Sequence, residues 1–158
     1  MKKGIRYLLS ALLPLLLCSG VCWAIVITVT GNWAETIDAS DLQAGPGSDL
    51  FGTYESASNV GVIDISSTAG NWALNVGKAN TNWHANFHLY VKRTSNGSGS
   101  GTITGGTAYQ EITDSDLPFF NGSDDRSGIN VQLKLDGVAI QVPPDTYTTT
   151  VWYTVYDL

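Results

Sequence analysis

Apolar and polar side chains alternate with a period of two over several short stretches, and no stretch holds a sustained helical period. Trp72, Leu74 and Val76 alternate with Ala73, Asn75 and Gly77. Further on, Trp83, Ala85, Phe87, Leu89 and Val91 alternate with His84, Asn86, His88, Tyr90 and Lys92. Each set predicts a strand with one buried face. Residues 60–65 are apolar except at Asp64, which predicts a bulge or an edge. The run Ile25, Val26, Ile27, Thr28, Val29 and Thr30 is short and β-branched, and makes a further strand.

The end of the chain carries the clearest pattern. Residues 129–135 and 138–142 flank Asp136-Gly137, a pair that suits the positive φ angles of a two-residue hairpin turn. The hairpin register would set Leu135 against Val138, Leu133 against Ile140 and Val131 against Val142, with Gln132, Lys134 and Gln141 outside. Pro143 and Pro144 withhold two amide donors and close that unit. Residues 146–156 follow as a Thr/Tyr/Val/Trp ribbon. Its expected core face is Tyr147, Thr149, Val151, Tyr153 and Val155; its expected outer face is Thr148, Thr150, Trp152, Thr154 and Tyr156. Residues 95–101, rich in Gly and Ser, read as a flexible loop, and residues 114–128 as another. Seven or eight short strands separated by turns predict an all-β fold, an antiparallel β-sandwich.

The first 24 residues change the picture. Lys2, Lys3 and Arg6 precede an apolar run over residues 7–17, and Ala24 ends the stretch two positions after Cys22. These are the three parts of a secretory signal, with cleavage expected after Ala24 and one domain over residues 25–158. An uncleaved membrane anchor would need about 20 apolar residues, and Pro14 interrupts a shorter run. Lipidation wants a small residue before the cysteine, and Leu17 and Val21 stand there. Cleavage would remove three of the eight basic residues and both cysteines, leaving five bases against 14 acids, a charge of −9. Such a chain has no basic footprint for nucleic acid. It also cannot lean on disulfides, and is long enough to bury a core without them.

Candidate chemistry is sparse. Residues 25–158 contain no cysteine, no Gly-x-Ser-x-Gly elbow and no Gly-rich loop opening a helix, so nucleophilic and nucleotide-dependent mechanisms have no motif to stand on. His84 and His88, placed on one strand, would lie about 13 Å apart, too far for one ion. Asp114, Asp116, Asp124 and Asp125 enrich residues 114–128 in oxygen ligands, but no helix-flanked calcium loop surrounds them. No catalytic residue, metal site or cofactor is expected. Trp152 and Tyr156 project together from the expected outer face of the last strand, an arrangement that suits stacking on sugars.

Three stretches carry a resemblance. Gly70-Asn71-Trp72-Ala73-Leu74-Asn75-Val76, Arg126 near Ile129, and the ending from Pro144-Asp145 to Tyr156 resemble secreted bacterial β-sandwich proteins of the spore coat U and fimbrial-subunit type. The likeness spans about a third of the chain. It implies an immunoglobulin-like subunit lacking one strand, completed by β-strand addition from a periplasmic chaperone, a related subunit or a copy of itself. Residues 25–30 are similar to a donor strand, and the ribbon bearing Thr148, Thr150, Trp152, Thr154 and Tyr156 would border the acceptor groove, its edge covered by residues 25–30 of the same chain or of another. Departures are the missing cysteine pair and Asp157 at the penultimate place. The function expected is an exported, non-enzymatic coat, pilus or fibre subunit at the bacterial surface or in the periplasm. The alternative is a monomeric module that binds glycans through exposed aromatic residues.

Overall fold

A computed structural model describes residues 24–158, so the expected leader lies outside the described residues except for Ala24. Among the described residues ten strands follow one another: β1 Val26–Gly31, β2 Thr53–Glu55, β3 Gly61–Ser66, β4 Asn71–Asn82, β5 His88–Arg93, β6 Ile103–Gly105, β7 Gln110–Glu111, β8 Leu117–Ser123, β9 Arg126–Asp136 and β10 Thr148–Asp157. Among the described residues the one helical element is a single 3-10 turn, Ala39–Asp41, capped by Asp38, and no helix is long and apolar enough to cross a membrane.

The strands form two antiparallel sheets. One runs β1-β3-β9-β5-β7, with β2 also paired to β9; the other runs β10-β4-β8-β6. Ile63, Ile65, Leu89, Val91, Ile129 and Val131 from the first sheet share one core with Trp72, Leu74, Val76, Phe119 and Phe120 from the second. This is the all-β, two-layer architecture expected of the alternating pattern. A second, smaller cluster of Phe87, Leu135 and Val138 closes one end, packed by Trp33, Trp83 and Tyr147.

Trp72 explains why β4 and β8 sit together. Its indole is fully buried, its Nε1 donates to the Asp124 carbonyl at 3.0 Å, and it covers Gly122, where any Cβ would lie 2.3 Å from the ring. Asp64 does mark a bulge: β3 slips register against β9 between Ile63 and Ile65, and the Asp64 carboxylate accepts the Gly128 N–H at 2.8 Å. β3 is nevertheless no edge, since β1 covers its other border.

Four sequence expectations fail, each for a physical reason. The Asp136-Gly137 hairpin does not form. Leu135 pairs with Tyr54 of β2 and Leu89 of β5, so both borders of β9 are taken where a returning strand would need one. Gly137 keeps its left-handed turn (φ +85°), pressed against the Asn86 carbonyl, and residues 138–147 leave the sheet; Val138 joins the end cluster while Ile140 faces solvent. Second, the alternating run from Trp83 to Val91 is not one strand. β5 begins at His88, because Phe87 N–H bonds to the His84 carbonyl at 3.0 Å and turns the chain. Third, residues 114–128 are mostly ladder: β8 and the start of β9 fill them. Pro118 masks β8 in the sequence, and is tolerated because it stands where β8 slips register against β4. Fourth, the Gly/Ser tract is tied down. Arg93 donates to the Ser95 carbonyl at 3.2 Å, Arg126 donates to the Gly99 carbonyl at 2.8 Å, and Ser98 and Ser127 exchange backbone hydrogen bonds.

Candidate functional site

β10 is the last strand of its sheet. Its residues pair with β4 from Thr148 opposite Asn82 to Asp157 opposite Trp72, and among the described residues no strand borders its other side. The face assignment is as expected. Val151, Tyr153 and Val155 pack against the core, and Thr149 Oγ1 donates to the Ala79 carbonyl at 3.0 Å. Tyr147 differs, lying just before β10 in the end cluster, where its hydroxyl donates to the Pro143 carbonyl at 2.7 Å.

The outer face of β10 is knitted to its neighbours. Trp152 lies flat on Gly77, whose missing Cβ would stand 2.5 Å from the indole. Tyr156 donates its hydroxyl to the Asp116 carboxylate, which also accepts from Asn75 Nδ2 at 3.0 Å. The hydrogen bond from Tyr156 holds the Asp116 carboxyl below the usual carboxylate range and in turn pushes the Tyr156 hydroxyl up. Trp152 and Tyr156 thus share the face where the alternation put them, but as parts of a hydrogen-bonded surface rather than as a free platform.

The candidate donor residues pair with β3 and not with β10. Val26 to Thr30 pair with Ser66 to Val62 of β3, and Ile25 and Ile27 reach the core, whereas Val26 and Val29 are 48% and 44% exposed. The expectation that this segment of the same chain covers the β10 edge is therefore corrected: it covers β3, in the opposite sheet. β1 ends its own sheet and lies close to β10, so both edges occupy one side of the molecule.

A second constellation stands at the opposite end of β4. Lys78 and Asn80 of β4, the corner residues Trp83, His84 and Phe87, His88 of β5, Glu111 of β7, and Thr113 and Asp114 beyond it line a cleft of about 350 Å³. The wall holds its shape because the 112–113 segment bonds to both sheets: Ile112 N–H to the Leu89 carbonyl and Lys78 N–H to the Thr113 carbonyl, each at 2.8 Å. His84 and His88 are not on one strand, so their separation along an extended chain does not apply. His88 Nδ1 lies 2.6 Å from Glu111 Oε1, and His84 Nδ1 accepts the Asn86 N–H at 3.2 Å.

Of these residues the histidines and Asp114 had been weighed as ligands in the sequence, and Lys78 left a signal of its own. It continues the inward phase of Trp72, Leu74 and Val76, a charge where alternation calls for an apolar side chain. The four aspartates of residues 114–128 are not brought together as one ligand set: Asp116 serves Asn75 and Tyr156 before β8, and Asp125 accepts from Thr68 at 3.0 Å beyond it. Among the described residues no three His, Cys, Asp or Glu side chains group as metal ligands. Compared with family models, curated proteins and solved structures, the chain matches none.

Proposed function

We propose that the chain is an exported, non-enzymatic surface protein, a coat, pilus or fibre subunit of immunoglobulin-like type, that assembles by strand addition along β10. The observation that carries this reading is the free border of β10. Along its ten residues every second one turns its amide and carbonyl to a side where no strand pairs with it among the described residues, with no charge before Asp157, no proline and no bulge outside the first two residues. Soluble monomers blunt such borders with charge, proline or cover; a bare one is a template for another strand. The incoming strand is residues 25–30 of a second copy, which carry the same β-branched composition and already sit at an edge. The leader-like first 24 residues support export.

The chain lacks cysteine after residue 24, so introduced thiols report directly. A variant carrying Val29→Cys and Thr150→Cys is expected to form disulfide-linked ladders on oxidation, and adding Thr148→Lys with Thr154→Lys to that variant is expected to abolish them while leaving melting unchanged. Sedimentation as a monomer at all concentrations, with no linked species, would defeat the assembly reading.

A further inference from the structure

Lys78 is 9% exposed, yet among the described residues its ammonium has a single hydrogen-bond acceptor, Asn80 Oδ1 at 3.0 Å. It sits 5.2 Å from the centre of the Trp83 ring, and among the described residues no carboxylate pairs with it. An ammonium offers three donors, and a buried cation without a counter-charge is costly unless its remaining donors find partners. Those donors belong to the lining of an open cleft. Its volume of about 350 Å³ falls inside the range of about 300–1,000 Å³ typical of small-molecule sites.

The rest of the lining decides what kind of molecule fits. Glu111 and Asp114 stand in the same cleft as Lys78. An anion attracted by Lys78 would face two carboxylates, and a cation drawn by the carboxylates would face Lys78. A hydroxyl group both donates and accepts, and is served by both. The histidines add one of each kind. Because His84 Nδ1 accepts from Asn86, its neutral ring carries the proton on Nε2; because His88 Nδ1 faces the Glu111 carboxylate, its neutral ring leaves Nε2 as an acceptor. Trp83 and Phe87, edge to face with centroids 5.5 Å apart, add an apolar wall of the sort that receives the C–H face of a sugar ring. We propose that this corner cleft is a binding site for a neutral saccharide, with Lys78 and Asn80 holding ring hydroxyls from the β4 side and Glu111 and Asp114 from the β7 side. The site is independent of the β10 edge.

The probes are methyl β-glucoside, maltose and N,N′-diacetylchitobiose, each titrated into the exported protein and followed by NMR at the Trp83, His84 and His88 side chains. Glucuronate and glucosamine serve as charged counterparts. At least one neutral sugar is expected to give saturable shifts at those side chains. Lys78→Met is expected to weaken that binding about tenfold or more, the loss that follows removal of a charge-assisted hydrogen bond. Asp114→Asn, exposed and outside the core, is expected to weaken it by less, and keeps the test alive if the Lys78 variant fails to fold. Lys92→Met, outside the cleft, is expected to change nothing. No shifts up to about 20 mM sugar, well past millimolar site binding, would overturn the proposal. So would glucuronate or glucosamine binding in place of the neutral sugars, or undiminished binding by Lys78→Met and Asp114→Asn.

Discussion

β9 and β10 are the two longest ribbons of the C-terminal third, 11 and 10 residues, with the same clean alternation, and they live in opposite environments. β9 is bordered by β5 on one side and by β3 and β2 on the other, with Ile129 and Val131 buried. Among the described residues β10 has β4 alone, and its inward residues are only partly buried. Alternation sets which side chains face the core, and it does so identically for both. It carries no information about how many neighbours a strand has, because backbone hydrogen bonds are the same for every residue but proline.

The widest gap is expected in core truncation. Ile129→Ala in β9 should cost about 2–5 kcal/mol, the range for deleting a fully buried aliphatic group, and Val151→Ala in β10 about 1 kcal/mol, because its site is half open and can collapse. Urea denaturation of both variants measures this; equal losses would break the contrast between central and edge strands. Next come the two tryptophans seated on glycines. Gly122→Ala drives a methyl into Trp72, which is sealed in the core, whereas Gly77→Ala drives one into the half-buried Trp152, with the Ser115 carbonyl 2.9 Å away. Overpacking of about 1–3 kcal/mol is expected for Gly122→Ala, with a smaller loss and a red-shifted tryptophan emission for Gly77→Ala.

The smallest effects are electrostatic, and of opposite sign in pH. Near β9, Lys134 and Lys92 lie over the Tyr109 ring, and burial, then the negative charge of Glu55, push the Tyr109 hydroxyl up to about 12. A phenol raised in the folded state protects stability below pH 10, and that contribution is lost as pH climbs from 10 toward 12. Tyr109→Phe should therefore flatten part of the alkaline decline in melting temperature. Beside β10, Asp116 is held low by Tyr156. Its contribution is present above the ordinary carboxylate value of 3.8 and lost as pH falls below it. Asp116→Asn should flatten part of the acid decline, an effect kept small by the exposure of the group.

The candidate sites divide along the same line as the strands. Trp72, Leu74 and Val76 were legible as core, and Trp152 and Tyr156 as outward, because a strand's two faces are written in its own residues. The corner cleft was not. Lys78, His88, Glu111 and Asp114 come from three strands and a connecting segment, and nothing local to any of them specifies the other three. The hairpin at Gly137 shows the same limit from the other side. Asp-Gly specifies a turn, and the turn is there, but the partner it would supply is displaced by β2 and β5, whose pairing with β9 depends on residues 80 and 40 or more positions away.

Local chemistry by itself therefore determined the all-β class, the buried face of each long strand, the break at Asp64 and the leader-like start, since period, β-branching and charge act within a few residues of one another. Only the tertiary structure decided that β1 lies on β3 and not on β10, that β9 is central, and that Lys78 meets Glu111 and Asp114 across a cleft. Strand neighbours are selected by how whole faces pack and by which borders remain open after the others are filled, a competition among distant segments that no single stretch of sequence contains.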